Sequence, residues 1–216
     1  MRSVVLVGSA ALGDYVAGVS DLDVAAVSHG PVDDPVALAA PLRHCALACP
    51  ARRLEFVVYR AEQAAAPARG LEFELDLNTG ADGDRLLTEP GEEPAHWYLI
   101  DLAIARERGV TLAGAPAGEA IGEPPRGDLL DALLAGLSWS VEAEPLAPST
   151  ALNAARAWCF AEEGRWLSKA EAAAWGERRG ARTGLARRAR ERGGALEPGV
   201  APAVAERAMD AVEAAR

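Results

Sequence analysis

The chain has 216 residues, which is enough for one large domain or two small ones. Half of the residues are hydrophobic and a quarter are charged, so the chain can bury a core and is not disordered throughout. Acidic residues outnumber basic ones by 32 to 22, which gives a formal charge of −10. Binders of duplex nucleic acid normally carry the opposite excess, so we expect no nucleic-acid partner.

The compartment follows from the cysteines and from the lack of a long apolar run. No stretch of about 18 apolar residues occurs, so the sequence predicts no membrane span. A disulfide framework would leave one of the three cysteines unpaired, and this favours a reducing compartment. We expect a cytoplasmic monomer. Cys45 and Cys49 lie in an apolar run, where we expect buried thiols rather than metal ligands.

The first part of the chain alternates strand and helix signals. Three short, Val-rich runs bounded by turn residues predict strands over Val4–Val7, Leu22–Val27 and Leu54–Tyr59. Helical periodicity predicts helices over Pro35–Ala40 and Trp97–Glu107. The pattern is typical of an α/β domain, which we assign to residues 1–118.

The second part of the chain differs in composition and in its secondary-structure signals. Repeated Gly and Pro from Gly114 to Gly127 indicate a linker, which we place at residues 119–127. Residues 128–216 are dense in Ala, Leu, Glu and Arg, and predict an all-α bundle. Its helices are expected at Asp128–Trp139, Thr150–Glu163, Lys169–Glu177, Thr183–Arg192 and Val200–Ala215. Ser168 and Glu171 have the spacing of a capping box at the start of the third helix.

The most informative stretch joins the first two strands. The first strand ends in Gly8 and Ser9, and the second opens with Asp21 and Asp23. Residues two apart in a strand point to the same face, so the two carboxylates lie side by side and repel each other unless cations sit near them. Paired carboxylates that hold divalent ions on phosphate oxygens are the usual apparatus of nucleotidyl transfer, and oxygen ligands favour Mg²⁺.

Other residues complete this pattern. Gly8 lets the backbone approach a phosphate, and Ser9 supplies a hydroxyl and an N–H group at the start of a helical turn. Glu55 begins the next strand and is expected to point away from the face of Leu54 and Phe56. There it could complete the metal site or accept a proton from an attacking hydroxyl. An Asp-x-Asp pair alone is as easily a solvated turn, but this ordered set is much rarer.

The whole set resembles the signature of the nucleotidyltransferase superfamily. The second half narrows the resemblance: Leu152–Trp158, Gly164–Lys169 and Ala172–Trp175 are similar to the C-terminal helical domain of aminoglycoside 3''-adenylyltransferases, which inactivate streptomycin and spectinomycin. The resemblance implies a polymerase-beta-like α/β nucleotidyltransferase domain followed by an all-α helical bundle domain. It also implies transfer of AMP from ATP to a hydroxyl of a small cationic acceptor, with Mg²⁺ as cofactor.

The resemblance assigns roles to individual residues. It makes Asp21 and Asp23 metal ligands and Glu55 the catalytic carboxylate. Phosphate-contacting and nucleotide-binding positions fall on Gly8, Ser9, Ser20, Arg156 and Lys169. Lys169 is the only lysine, since 21 of the 22 basic residues are Arg, and an ammonium that reaches a triphosphate is not easily exchanged for a guanidinium. The drug-binding positions fall nearest to Trp139, Glu142 and Glu144.

Two alternatives stay open at this point. One is a nucleotidyltransferase whose acceptor is a protein or an RNA end. The other is a non-catalytic nucleotide-binding relative, because members of the resembled family have a helix before the first strand, where this sequence begins with the strand itself.

Overall fold

The computed structural model of the protein describes residues 1–89, 91 and 94–216. The chain folds into two compact units, Met1–Pro125 and Arg126–Arg216. The first unit combines a sheet with helices, and the second is helical among the described residues. The domain bounds 1–118, 119–127 and 128–216 stay a prediction; the backbone passes from one unit to the other after Pro125.

The first unit is built on a six-stranded sheet. Its strands are β1 (Ser3–Val7), β2 (Leu22–Ser28), β3 (Arg53–Arg60), β4 (Leu75–Gly80), β5 (Gly83–Leu87) and β6 (Val110–Gly114). They lie in the order β5-β4-β3-β2-β1-β6. Only the central pair β2 and β3 is parallel; the other four pairs are antiparallel.

The helices of the first unit are short, with one exception. They are α1 (Gly8–Ala11), α2 (Pro35–Ala39), a 3-10 turn (Ala40–Leu42), α3 (Ala61–Ala65), α4 (His96–Arg108) and α5 (Ala117–Ala120). The second unit contains α6 (Arg126–Ala143), α7 (Pro148–Glu163), α8 (Lys169–Arg178), α9 (Thr183–Glu191) and α10 (Val200–Ala214).

Each face of the sheet carries its own apolar cluster. On one face Val5, Val27 and Tyr59 pack with Tyr98 and Leu102 of α4. On the other face Ala26, Phe56, Val58, Leu75 and Leu77 pack with residues of α2. Successive side chains of β3 therefore alternate between the two cores, as the period of a strand requires.

The parallel pairing of β2 and β3 positions the site. Its register places Asp23 beside Glu55, and the antiparallel pairing of β3 and β4 places Glu55 beside Asn78. These three polar residues therefore lie in a line across three strands, on the face that also bears Val27 and Tyr59. We call them the polar row.

Tryptophans organise the core of the helical unit. Trp158, Trp166 and Trp175 are buried, as expected for core anchors. Trp158 and Trp175 meet edge to face with ring centroids 5.1 Å apart. Trp166 stacks on Phe160 at 4.4 Å. Because α7 ends at Gly164 in a left-handed conformation, the chain can turn and bring Trp166 back onto α7.

The structure corrects several expectations. Strands β4, β5 and β6 and helices α3 and α5 carry no clear sequence signal and are additional to the predicted elements. Cys45 is exposed and Cys49 is half-buried, so the expectation of buried thiols there was wrong. The apolar run around them forms a turn-rich segment after the 3-10 turn, not a packed element. Cys159 is buried in α7.

No helix within the described ranges is long and apolar enough to cross a membrane.

The capping box at α8 is formed as predicted. Ser168 Oγ accepts from the Glu171 N–H at 3.1 Å, and Glu171 Oε2 accepts from the Ser168 N–H at 2.7 Å. Ser168→Ala should lower the free energy of unfolding by about 1 kcal/mol, because a buried helix N-terminus loses an acceptor. Urea unfolding followed by tryptophan fluorescence measures this. The control is Ser138→Ala in the exposed middle of α6, which should leave stability unchanged or slightly raised. Equal losses in the two variants would contradict the capping role.

Candidate active site

The polar row is a cluster of half-buried side chains at one end of the sheet. Glu55 Oε1 accepts a hydrogen bond from Asn78 Nδ2 at 3.0 Å. Phe56, the next residue along β3, belongs to the opposite core, so Glu55 points away from the Phe56 face as predicted. The carboxylates of Asp23 and Glu55 thus share one face on neighbouring strands, although the two residues are 32 apart in sequence.

Gly8 lies directly against Asp23. It follows β1, has φ +62°, and a Cβ built on it would stand 1.6 Å from Asp23 Oδ2. Its position therefore requires glycine for two reasons: the left-handed backbone and the close approach of the carboxylate. The sequence predicts a glycine that admits a phosphate at this position. In the structure the space beside the Gly8 backbone is taken by Asp23.

Asp21 precedes β2 and is held by an arginine that the sequence argument missed. Arg52 donates to both of its oxygens, from Nε to Oδ1 at 2.9 Å and from Nη2 to Oδ2 at 2.6 Å. This bidentate pair fixes the Asp21 carboxylate. It also raises the pKa of Arg52 above its ordinary value. The adjacency of Arg52 to β3 was visible in the sequence, but its partner depends on the β2–β3 register.

The surroundings of Glu55 disfavour the ionised form of its carboxyl group. Burial, together with the nearby charges of Asp23, Asp21 and Asp76, raises the pKa of Glu55 to about 7. The hydrogen bond from Asn78 opposes this shift. Glu55 therefore takes up a proton close to neutral pH when no cation is bound, which is the range in which a carboxylate serves best as a proton acceptor.

Ser9 lies in α1, and Ser20 lies in the loop that joins α1 to β2. Ser9 is the second residue of α1, and its carbonyl accepts from the Asp14 N–H at 3.1 Å. Ser20 is buried, and its Oγ accepts from the Val16 N–H at 3.0 Å. Ser20 therefore closes the loop 16–20. The predicted phosphate contacts of both serines stay predictions.

The two predicted nucleotide-binding cations lie at neighbouring points of the helical unit. Arg156 in α7 donates from Nε to the Leu167 carbonyl at 2.8 Å, across the loop that links α7 to α8. Lys169 is the first residue of α8, directly after the capping box at Ser168. The Arg156 side chain therefore contacts the loop that leads directly to Lys169.

The predicted substrate residues lie at the end of α6. Trp139 is 41% exposed, and Glu142 and Glu144 are exposed. The Glu144 carbonyl accepts from Thr150 Oγ1 at 2.8 Å, which ties the end of α6 to the start of α7. Their role in binding a substrate stays a prediction.

The two aspartates at the start of β2, Asp21 and Asp23, fit a magnesium ion. Among the residues that the structure describes, no three His, Cys, Asp or Glu side chains converge closely enough to form a metal site by themselves. Mg²⁺ does not need such a cage, because it binds through one or two carboxylates together with substrate phosphates and water. Asp21 and Asp23 supply hard oxygen donors. The pKa of Glu55 is raised first by burial and then by the negative charge of Asp23 and Asp21, and a cation would compensate that charge.

Comparisons with known proteins bear on the family and on the fold. Residues 120–183 match the family model described as the C-terminal domain of aminoglycoside adenylyltransferase. This part of the chain is similar to the C-terminal domain of that family. The resemblance drawn from the sequence is confirmed.

A solved structure covers both units. The fold is similar to that of spectinomycin adenyltransferase AAD(9) from Enterococcus faecialis, whose crystal structure holds ATP and spectinomycin. The TM-score is 0.68 at 15% sequence identity, over 98% of this chain and 91% of that one. The expected fold, an α/β domain followed by an all-α bundle, is confirmed. A search of curated protein sequences finds no significant match.

The contact between Gly8 and Asp23 can be tested against a matched glycine. Gly8→Ala should displace the Asp23 carboxylate as well as strain the backbone, because the added Cβ overlaps Oδ2. Gly13→Ala carries the same positive φ, +75°, but its Cβ meets nothing within 4 Å. The loss of unfolding free energy should be larger for Gly8→Ala than for Gly13→Ala by at least about 1 kcal/mol. Equal losses would mean that the conformation alone demands Gly8.

The charge on Glu55 predicts a pH-dependent stability. A carboxyl whose pKa is higher in the folded than in the unfolded state binds its proton more tightly when folded. Stability is therefore lost as the pH rises from about 4.5 to about 7 and is constant above that. Glu55→Gln removes this loss. In metal-free buffer it should raise the free energy of unfolding at about pH 8 by up to about 3 kcal/mol relative to its effect below pH 4.5.

The control for this measurement is Glu123→Gln, which alters an exposed carboxyl outside the row. Denaturant unfolding of each variant is measured across the pH range in the presence of a chelator. A Glu55→Gln effect that is the same at both ends of the range would contradict the burial of a repelled carboxylate.

Proposed function

We propose that this protein transfers AMP from ATP to a hydroxyl of an aminoglycoside-like small molecule and releases pyrophosphate. The observation that carries the proposal is the pairing of Asp23 with Glu55 across β2 and β3, at the point where Gly8 leaves β1. Asp21 adjoins the pair at the start of β2. The family of the helical unit and the fold shared with an adenyltransferase support the same reaction.

The bond changes follow from the groups available. The acceptor hydroxyl oxygen forms a bond to the α-phosphorus of ATP, while the bond from that phosphorus to the bridging oxygen breaks. The electron pair of the broken bond leaves with pyrophosphate. The hydroxyl proton goes to Glu55, whose pKa of about 7 allows it to be ionised before the reaction and to accept a proton during it.

Mg²⁺ would be held by Asp21 and Asp23 and would neutralise charge that develops on the phosphate oxygens. Asp23 is fixed from one side by Gly8, and Asp21 is fixed by Arg52. We propose that Gly8, Ser9 and Ser20 contact the phosphates, and that Arg156 and Lys169 bind ATP through its negative charge. A fixed array of this kind stabilises charge in the transition state without reorganising as the reaction proceeds.

The charge of the chain favours a cationic acceptor over an RNA end. Residues 1–118 contain 9 basic and 17 acidic residues, a net of −8, whereas residues 119–216 contain 13 and 15, a net of −2. A negative field of this size attracts a polycationic small molecule and opposes a polyanion. We propose Trp139, Glu142 and Glu144 as acceptor-binding residues: an aromatic surface and two exposed carboxylates suit an amino sugar.

Removal of either carboxylate of the pair tests the assignment. Asp23→Asn and Glu55→Gln should each lower turnover by about 10²–10⁴-fold, because the first weakens the cation site and the second removes the proton acceptor. Pyrophosphate release is measured with ATP, Mg²⁺ and a panel of aminoglycosides and aminocyclitols.

The control is Asp33→Asn, which neutralises an exposed aspartate before α2 and should retain wild-type turnover. Turnover of Asp23→Asn or Glu55→Gln within a few-fold of wild type would refute the catalytic assignment. A wild-type protein that releases no pyrophosphate with any member of the panel would refute the proposed acceptor class.

Lys169 is expected to act on ATP binding. Lys169→Gln removes an ammonium next to the α8 N-terminus and should raise the KM for ATP by about 10-fold, with a smaller effect on the KM for the acceptor. Arg178→Gln removes an exposed cation from the last turn of the same helix and serves as the control. If both variants shift the KM for ATP equally, Lys169 has no specific contact with the nucleotide.

A further inference from the structure

We propose that Asn78 is a positioning residue: held by Arg53, it binds one oxygen of the Glu55 carboxylate and thereby aims the other at the acceptor hydroxyl. This inference rests on the proposed function, because it concerns the orientation of the group that receives the proton. Neither residue was singled out by the sequence argument.

The register of the sheet places the side chains of Asn78 and Glu55 next to each other. Asn78 is the direct cross-strand partner of Glu55 in the antiparallel pair of β3 and β4. Directly opposed side chains of such a pair lie about 5 Å apart at Cβ, so a glutamate and an asparagine meet without strain. Here Asn78 Nδ2 donates to Glu55 Oε1 at 3.0 Å. The geometry depends on backbone pairing, not on a mobile loop.

Arg53 decides which way the Asn78 amide faces. Its Nε donates to Asn78 Oδ1. A guanidinium has only donors, so this bond fixes the amide oxygen toward Arg53 and leaves the NH₂ group to Glu55. Arg53 is itself anchored at the β4–β5 turn, by Asp82 Oδ2 at 2.7 Å from Nη1 and by the Gly83 carbonyl at 2.9 Å from Nη2.

The consequence for Glu55 is a distinction between its two oxygens. Oε1 is occupied by Asn78, so a hydroxyl proton would go to Oε2. A glutamate has three side-chain torsions, and fixing one carboxylate oxygen removes much of their freedom before the substrate binds. The orientation of a reacting group matters because a misplacement of about 1 Å costs up to about 100-fold in rate.

The first test reads the contact without any activity. The sequence has only three side-chain amides, at Gln63, Asn78 and Asn153, so their NH₂ pairs are easily assigned in a nitrogen-15 correlation spectrum. In the metal-free protein, Glu55→Gln and Arg53→Ala should each shift the Asn78 pair. The Gln63 and Asn153 pairs should stay in place. An Asn78 pair unmoved by Glu55→Gln would overturn the contact, and one unmoved by Arg53→Ala would overturn the role of Arg53.

The second test reads the effect on the reaction. Asn78→Asp replaces the donor with a carboxylate of the same shape. It should lower kcat by about 10- to 100-fold, while the KM for ATP and for the acceptor changes by less than about threefold. Asn78→Ser, which retains a donor, should recover part of the loss that Asn78→Ala shows. The control is Gln63→Glu, which makes the same amide-to-acid change at a half-buried residue beside Glu72, outside the polar row, and should retain wild-type kcat.

The outcomes separate this inference from the function on which it rests. Wild-type protein that releases no pyrophosphate refutes the proposed function, and the spectrum then decides the Asn78 contact alone. With an active wild type, Asn78→Asp that keeps wild-type kcat overturns the positioning role. A fall in kcat that is accompanied by a rise in the KM values and a fall in thermal stability would also overturn it, because that pattern marks a structural residue.

Discussion

The candidate site depends on carboxylates that the register of the sheet brings together in a half-buried position. The parallel pairing of β2 with β3 sets Asp23 beside Glu55, and Asp21 adds a third carboxylate at the start of β2. Burial is the largest cause of the raised pKa of Glu55, about 7, and the like charges of Asp23 and Asp21 raise it as well. A bound cation, or a proton on one carboxylate, would compensate the adjacent negative charges. The tight fit of Gly8 against Asp23, the Arg52 pair at Asp21 and the Asn78 contact at Glu55 each hold one carboxylate in place.

In the helical unit, packing and hydrogen bonds hold the segment that carries Arg156 and Lys169. Arg156 reaches the carbonyl of Leu167, and Lys169 begins α8 behind the capping box. The loop between them is further anchored by the stack of Trp166 on Phe160. Glu163, at the end of α7, accepts from Trp175 at 2.7 Å and from Arg179 at 2.9 Å, which ties α7 to α8 on the far side of the loop. The single lysine of the chain therefore sits on a well-fixed segment.

Local patterns in the sequence predicted the parts of the fold that are stabilised locally. The Val-rich strands β1, β2 and β3, the long helices and the Ser168 capping box all carry a short-range signal. Strand β4 does not, because Asp76, Asn78 and Gly80 read as turn residues. Its alternation of Leu75 and Leu77 with Asp76 and Asn78 was the available clue, since a strand with one polar site face shows that period. The carboxylates of the site were predicted from order and spacing, whereas their partners Arg52, Arg53 and Asn78 depend on strand register, which no local pattern gives.

The most direct test of the account follows one phosphorus atom. The wild-type protein and Asp23→Asn are incubated with Mg²⁺, a streptomycin or spectinomycin acceptor, and ATP labelled either at the α- or at the γ-phosphorus. Nucleotidyl transfer predicts that the wild type moves the α label onto the acceptor and the γ label into pyrophosphate, and that Asp23→Asn does neither. Transfer of the γ label to the acceptor, or an equal transfer of the α label by Asp23→Asn, would contradict it.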